Sequence, residues 1–154
     1  MMSIMNETIS RFLQQQTCAT ICCIDEQGSP YCFSCYYVFN PEKGLLYFKS
    51  SDDAHHSALL LNNPAVGGSI LPDKLIRLIS RGIQLEGEVL EQFHPLTKDA
   101  SVVYHKKIPM ALAIKGKVFT IRLNAIKMTD SQLGFGKKIT WKRNEMEIMM
   151  SNKK

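Results

Sequence analysis

The C-x-x-C spacing of Cys32 and Cys35 is the first feature of this sequence that suggests chemistry, as a metal or redox site. The pair lies in "YCFSCYYVF", which is rich in aromatic and β-branched residues and predicts a strand. Residues three apart on a strand point to opposite faces, so the two thiols cannot bind one ion or form an unstrained disulfide. By the same rule Cys18 and Cys22 share a face and Cys23 takes the other. We therefore predict that the cysteines pack as small hydrophobic residues, and a metal or redox role is the alternative.

A second group of polar residues lies in "YFKSSDDAHHSALLL", where a predicted strand runs into a predicted helix. Hydroxyl groups and main-chain N–H groups at such a junction bind phosphate, and nearby cationic side chains add charge. The alternative is ordinary helix capping, with histidines that only face solvent. The candidate anion-binding residues are Lys49, Ser50, Ser51, His55, His56 and, from a neighbouring strand, Arg81.

The periodicity of apolar residues predicts the elements that position these groups. Met5, Ile9, Phe12 and Leu13 recur at helical spacing, which predicts a short amphipathic helix over residues 4–16. Segments rich in β-branched and aromatic residues, bounded by turns, predict strands. In chain order these are "TCATICCID", "YCFSCYYVF", "LLYFKS", "AVGGSIL", "KLIRLIS", "GIQLEGEVLEQF", "KGKVFTIRLNAIKMTD" and "KKITWKR".

Two more short helices are expected between the strands. Asp52 and Asp53 offer N-caps for "AHHSALLLNN", which Pro64 ends, and another helix is predicted from Pro95 to Lys107. This order favours a mainly β domain with short helices, either α+β or a β-barrel.

Composition bounds the function classes. A chain of 154 residues with a net charge of +5 suits one cored domain, which we place at 1–143, followed by a basic polar tail at 144–154. No stretch reaches the roughly 18 to 20 apolar residues of a membrane span, and the N-terminus lacks a secretory pattern, so we expect a cytoplasmic protein. The lysines are dispersed, which disfavours a nucleic-acid or membrane-surface function. "LLYF" and "CFSCYYVF" are apolar on both faces, which predicts that a second subunit covers one of them in a homodimer.

Three segments carry a resemblance to a known family: "SRGIQLEGEV", "YFKSSDDAHHSALLL" and "IRLNAIKMTDSQLGFGKKITWKR". They resemble the bacterial YhbP-type proteins, members of the pyridoxamine 5′-phosphate oxidase-like split-barrel superfamily. The resemblance runs from about Ile9 to Arg143, and "LGFGKK" before the Ile139–Trp141 strand is its most specific part. It implies a Greek-key split β-barrel of the FMN-binding type, usually a homodimer with flavin sites at the subunit interface. The implied cofactor is FMN.

The resemblance also implies roles for individual residues. Ser50 and Ser51 match the hydroxyl position that contacts the FMN phosphate in flavin-binding relatives, and Arg81 matches a basic residue before the following strand. His55 and His56 stand where those relatives have a basic pair. Histidine is mostly neutral near pH 7, so we expect weaker phosphate binding than arginine and lysine would give.

Residues near the C-terminus match a region that closes over the flavin or the substrate, often from the second subunit. These residues are Lys137, Lys138 and Trp141, and Gly134 and Gly136 would let that loop approach a flat ring closely. The alternatives are a turn for the glycines, a solvated face for the lysines, and a core or dimer contact for the tryptophan.

The resemblance leaves the reaction open. Bound flavin would carry out hydride or electron transfer, and the sequence shows no nucleophile with an adjacent base. The longer C-terminal arginine and histidine segment of true pyridoxamine phosphate oxidases is absent, so we do not expect that reaction. Two functions are therefore favoured: an FMN-dependent oxidoreductase of unknown substrate, or a non-catalytic split-barrel module that binds a flavin, haem or another ligand.

Overall fold

The protein is described by a computed structural model that covers residues 4–134 and 137–144. Within these residues, seven strands form one antiparallel sheet. The strands are β1 (Cys18–Ile24), β2 (Pro30–Asn40), β3 (Leu45–Ser50), β4 (Ala65–Ile70), β5 (Arg81–Val89), β6 (Lys117–Asp130) and β7 (Lys138–Lys142). The α-helices are α1 (Glu7–Gln15), α2 (His55–Asn62) and α3 (Ala100–Lys107).

The sheet closes on itself. Its order is β3-β2-β1-β4-β5-β6-β7, and β3 also pairs with β6, so β1 to β6 form a six-stranded barrel. The mainly β, barrel-type architecture with short helices that the sequence predicted is therefore confirmed.

The long strand β6 has two halves with different partners. Residues 117–122 pair with β3, residues 125–129 pair with β7, and β5 pairs with residues 121–130. At about 3.3 Å per residue, the two ends of this 14-residue strand lie roughly 40 Å apart. Residues at opposite ends of β6 therefore lie far apart within one chain.

Apolar side chains fill the barrel and also lie outside it. Inside, α1 buries Ile9, Phe12 and Leu13 against the sheet, as its helical spacing predicted. Outside, Leu45 and Tyr47 of β3 pack beneath α3 and a 3-10 helix at Pro109–Ala113. The sequence was correctly interpreted as apolar on both faces of β3. However, the second layer over these two residues comes from the same chain, so they do not require a dimer partner.

The prediction that "KLIRLIS" forms a strand is wrong. Residues 71–80 form a loop, and Leu75 and Leu78 are exposed. The last residue of β4, Ile70, already pairs with Ile83 of β5, so no strand partner remains for the segment between them. Asp73 holds this loop instead by accepting a hydrogen bond of 2.9 Å from the main-chain N–H of Thr17.

Two predictions about helix ends also need correction. The position before α2 is Ala54, which makes no side-chain capping bond, so neither Asp52 nor Asp53 caps this helix. Asp52 instead pairs with Lys117 at 3.1 Å. The predicted helix from Pro95 to Lys107 is divided into a 3-10 turn at Pro95–Thr97 and α3.

Candidate functional site

A cleft of about 330 Å³ opens beside the exit of β3, and we call it the β3 cleft. Its walls come from β2, the end of β3, the start of α2, and the segment that covers β3. Four aromatic rings line it, together with two basic side chains that the sequence alone did not place side by side. These residues are Phe33, Tyr36, Phe48, Tyr104, Lys49 and Lys115. None of the described residues that line the cleft carries a carboxylate, so its chemistry favours an anionic ligand with a flat apolar part.

The cleft brings two of the predicted site residues, Ser50 and His56, into direct contact. Ser50 Oγ lies 2.6 Å from His56 Nε2, a hydrogen bond. The His56 ring stacks on Phe33, with centroids 3.8 Å apart and an interplanar angle of 9°. Burial and, secondarily, the neighbouring His55 lower the pKa of His56, so it is mostly neutral near pH 7. The statement that no nucleophile has an adjacent base is therefore wrong, because the loop between β3 and α2 folds His56 back onto Ser50.

The other two residues of this junction have different positions. His55 is exposed and places its ring edge-on to Tyr31, 5.0 Å between centroids, and it does not line the cleft. Ser51 lines the cleft, but its groups organise the turn: its Oγ accepts from Asp53 N at 3.2 Å, and its carbonyl oxygen accepts from Ser57 Oγ at 2.7 Å.

Lys49 is held at the base of the cleft by the segment that covers β3. Its Nζ donates to the carbonyl oxygen of Ala111 at 2.7 Å and lies 3.0 Å from Nε2 of His105. The other ring nitrogen of His105, Nδ1, lies 2.8 Å from the carbonyl oxygen of Ser101. A carbonyl only accepts, so Nδ1 carries the proton and Nε2 accepts from Lys49. His105 thus positions the lysine.

A glycine allows the start of β6 to approach the end of β3 closely. Gly116, just before β6, has φ of +137°, and a Cβ there would lie 2.5 Å from the carbonyl oxygen of Ser50. Only a residue without a side chain allows β6 to start this close to the end of β3.

Arg81 lies away from the β3 cleft. It begins β5 opposite Asp130, the last residue of β6, whereas Ser50 pairs with Lys117, the first. Its Nε donates to Asp130 Oδ2 at 3.1 Å, and its guanidinium lies 5.0 Å from the ring centroid of Phe12. Within one chain, the structure does not bring Arg81 together with the serines.

The predicted C-terminal residues accompany Arg81 rather than Ser50. Lys138 pairs with Thr129 near the far end of β6, and both Lys137 and Lys138 are exposed. Trp141 is 7% exposed and packs in the barrel core, which supports the core alternative over a contact with the flavin.

The structure tests the predicted turn at only one of the two glycines of this region. Gly134 ends a 3-10 turn with φ of +130°, which supports the turn alternative for it. Gly136 lies outside the described residues.

The cysteines follow the predicted alternation. Cys23 is buried in the barrel core, and Cys35 packs against it, whereas Cys18 and Cys32 are exposed. Burial, with a smaller effect of Cys18, raises the pKa of Cys35 to about 12, so this thiol stays protonated although it lines the β3 cleft. Among the described residues, no three of the His, Cys, Asp and Glu side chains are grouped to hold a metal ion.

A larger cavity of about 820 Å³ lies beneath the segment that leads into α3. Glu88 and Glu91 are among its lining residues, and the buried Arg122 is already paired with Glu88. Lys98 and Lys117 line it as well, so the charge of its lining does not exclude an anion. We take the smaller β3 cleft as the candidate phosphate site because it contains the predicted residues Ser50 and His56.

Curated relatives decide the family. The chain is 36% identical over 139 residues to the UPF0306 protein plu4501 of Photorhabdus laumondii, covering 89% of this chain and 95% of that protein. The UPF0306 protein YhbP of Escherichia coli is 32% identical over 136 residues, covering 88% and 92%. The chain belongs to the UPF0306 family. No family model matches the chain.

Solved structures show the fold of this UPF0306 protein. A haem-binding protein from Mycobacterium smegmatis superposes with a TM-score of 0.72 at 15% identity, over 91% of this chain and 60% of that one. A FAD-binding protein from Mesorhizobium loti gives 0.64 at 14% identity, over 84% and 98%. A putative pyridoxamine 5′-phosphate oxidase from Listeria innocua gives 0.59 at 15%, over 79% and 95%. The barrel is thus a split barrel of the pyridoxamine 5′-phosphate oxidase-like type, as the sequence resemblance implied.

No helix in the described part of this UPF0306 chain is long and apolar enough to cross a membrane.

Proposed function

We propose that this UPF0306 protein binds FMN in the β3 cleft and acts as a flavin-dependent oxidoreductase. The observation that carries the proposal is the pairing of Ser50 with His56 in a cleft with aromatic walls and no described carboxylate. Ser50 and His56 would contact the phosphate, and Lys49 would supply a fixed positive charge nearby. The aromatic side chains suit a flat ring. Bound FMN would supply the hydride or electron transfer, and the chain's residues would bind and orient it.

We also propose that the protein works as a homodimer. The predicted site residues fall into two groups at opposite ends of β6: Ser50 and His56 at one end, and Arg81 with Lys137 and Lys138 at the other. Since the groups lie roughly 40 Å apart along the strand, one ligand can contact both only if two chains contribute. A two-fold dimer would then contain two equivalent sites. Sedimentation at the mass of a single chain would contradict this arrangement.

The binding test starts from protein purified without added cofactor. Its visible spectrum is recorded, and FMN is then titrated while the quenching of flavin fluorescence is followed. Ser50→Ala should weaken FMN binding, because the hydroxyl lies inside the cleft. Ser69→Ala is the matched control, since Ser69 is exposed on β4 and lines neither the cleft nor the larger cavity. A folded protein that shows no quenching, or variants that lose affinity equally, would refute the site.

A second candidate function is a binding module without turnover. Its support is that His56 is mostly neutral and Lys49 is already engaged by Ala111, so the site holds less free charge than a basic pair would. The fold is shared with a haem-binding protein as well as with a FAD-binding one. Bound flavin without oxidation of NADH or NADPH would favour this function. A Soret band with added haem, and no quenching with FMN, would make haem the ligand.

A further inference from the structure

Two cysteines that are ten positions apart in the chain face each other across the first hairpin. Cys22 of β1 and Cys32 of β2 are direct partners in the strand register. Cys32 is exposed and Cys22 is half-buried on the outer face of the sheet. This pair is distinct from the C-x-x-C pair, whose members lie on opposite faces.

The hairpin's main-chain hydrogen bonds show what kind of pair this is. At the turn end, Asp25 N donates to Ser29 O at 2.8 Å, and at the other end Tyr37 N donates to Thr17 O at 3.1 Å. Both bonds join residues that continue the β1–β2 register just beyond the ends of β1, at the odd-numbered positions 17 and 25. Hydrogen-bonded and non-hydrogen-bonded pairs alternate in an antiparallel ladder, so the even-numbered positions form the non-hydrogen-bonded pairs.

Cys22 and Cys32 therefore form a non-hydrogen-bonded pair. Pro30, which has no N–H to donate, takes an equivalent position two residues along, opposite Ile24. In such pairs the Cα atoms are about 4.5 Å apart, which lies within the range of about 4.4–6.8 Å that a disulfide spans. A bond between the two sulfurs thus needs no movement of the strands.

The neighbouring Cys32 side chain and, after it, burial raise the pKa of the Cys22 thiol. The Cys22 thiol lies 3.8 Å from the carbonyl oxygen of Cys23, to which it donates. Cys22 therefore keeps its proton, and the exposed sulfur of Cys32 is the one that an oxidant reaches first.

We propose that Cys22 and Cys32 are an oxidation site that a hydroperoxide converts to a reversible disulfide. The Cys32 sulfur, as thiolate, attacks one peroxide oxygen, which forms a sulfenic acid and releases an alcohol, or water from hydrogen peroxide. The Cys22 sulfur then attacks the sulfenic sulfur, the S–S bond forms, and water leaves. Two thiols are oxidised and one peroxide is reduced, so the atoms and electrons balance. A dithiol reductant restores both thiols by exchange.

The other cysteines do not compete for this bond. Cys18 lies on the same face as Cys22, but four residues along a strand is about 13 Å, beyond the reach of a disulfide. Cys23 is buried on the opposite face, and the pKa of Cys35 is raised to about 12 by burial. The pair thus differs from its neighbours in both distance and exposure.

Peptide mapping tests the proposal directly. No Lys or Arg lies between Phe12 and Glu42, so trypsin leaves all five cysteines on one peptide. Cleavage after Glu26 by a glutamyl endopeptidase separates β1 from β2. Protein treated with hydrogen peroxide and then alkylated should yield these two peptides joined, and dithiothreitol should release them. Fragment spectra of the joined species should place the bond between Cys22 and Cys32.

Variants make the test specific. Cys32→Ser should abolish the joined peptides, whereas Cys18→Ser, which removes an exposed thiol from the same face, should leave their yield unchanged. Separate peptides from the oxidised protein, or joined peptides that persist in Cys32→Ser, would overturn the proposal. If Cys32→Ser fails to give a native circular dichroism spectrum, the fragment spectra of the wild-type protein decide alone. FMN binding is measured separately, so failure of the disulfide leaves the proposed function standing.

Discussion

Replacing His56 by arginine should tighten FMN binding. In the free protein, burial and the neighbouring His55 lower the pKa of His56, so near pH 7.5 the ring offers an almost neutral hydrogen bond. Arginine stays charged and also stacks well on an aromatic face, as the contact of His56 with Phe33 requires. A hydrogen bond to a charged group contributes about 1.5–3 kcal/mol, against about 1 kcal/mol for a neutral one, so the gain is about 0.5–2 kcal/mol. The dissociation constant for FMN should therefore fall by about 2- to 30-fold.

The same residue should make binding by the wild-type protein depend on pH. A bound phosphate favours the imidazolium form, so FMN binding raises the pKa of His56 and takes up a proton. The extra FMN-binding free energy that this charge provides is fully present below the lowered pKa of His56 in the free protein. It is lost as the pH rises through the raised pKa of His56 in the complex. The FMN phosphate also changes its charge in this pH range, since its second pKa is about 6. The ratio of the two affinities, wild type over His56→Arg, cancels the titration of the ligand.

The assay is quenching of FMN fluorescence from pH 6 to about 8.5, the range in which histidine titrates. His55→Arg is the matched control. It adds the same positive charge one residue away, at a position that does not line the cleft. The reasoning is refuted if both variants tighten binding equally, or if the affinity ratio does not change with pH.

Three further predictions concern stability, each measured by urea denaturation. Gly116→Ala should lower the free energy of unfolding by about 1–3 kcal/mol, since φ is +137° and the new Cβ meets a carbonyl oxygen; an unchanged midpoint would contradict this. Glu88→Ala should cost about 3–5 kcal/mol, because it leaves the buried Arg122 without its ion pair. A loss below about 1 kcal/mol would mean that this pair behaves as if it were on the surface. Oxidation that joins Cys22 to Cys32 should stabilise the protein by about 2–3 kcal/mol, since the bond closes a short loop of the unfolded chain; equal midpoints with and without dithiothreitol would count against it.

Periodicity predicted those elements whose burial is decided locally. The spacing of Ile9, Phe12 and Leu13 fixes which face of α1 meets the barrel, and the alternation in β5 matches its buried face. In β6 the alternation holds only in the second half of the strand, since residues 119–123 are buried in succession. The error at "KLIRLIS" has a physical cause: an apolar segment becomes a strand only if a neighbour supplies hydrogen bonds, and the β4–β5 pairing is complete without it.

The candidate site was predicted only in part, because proximity across strands depends on register. The sequence placed Ser50 and His56 at one junction, since only six positions separate them. It could not place Arg81, whose distance from Ser50 is set by the length of β6. Likewise, the C-x-x-C spacing drew attention to Cys32 and Cys35, while the register pairs Cys32 with Cys22. FMN, the homodimer and the cytoplasmic location stay predictions.

The change of partner along β6 has a consequence for local unfolding. β3 closes the half of β6 beside the cleft, while β7 covers the other half, anchored where the Arg143 guanidinium donates to the carbonyl oxygens of Lys43 and Gly44, both at 3.0 Å. These are separate sets of hydrogen bonds, so β7 can detach without opening the barrel at β3. Amide protons of β7 should then exchange with solvent faster than those of β3. The protein would thus keep the Ser50 end of the barrel closed through fluctuations that open its C-terminal strand.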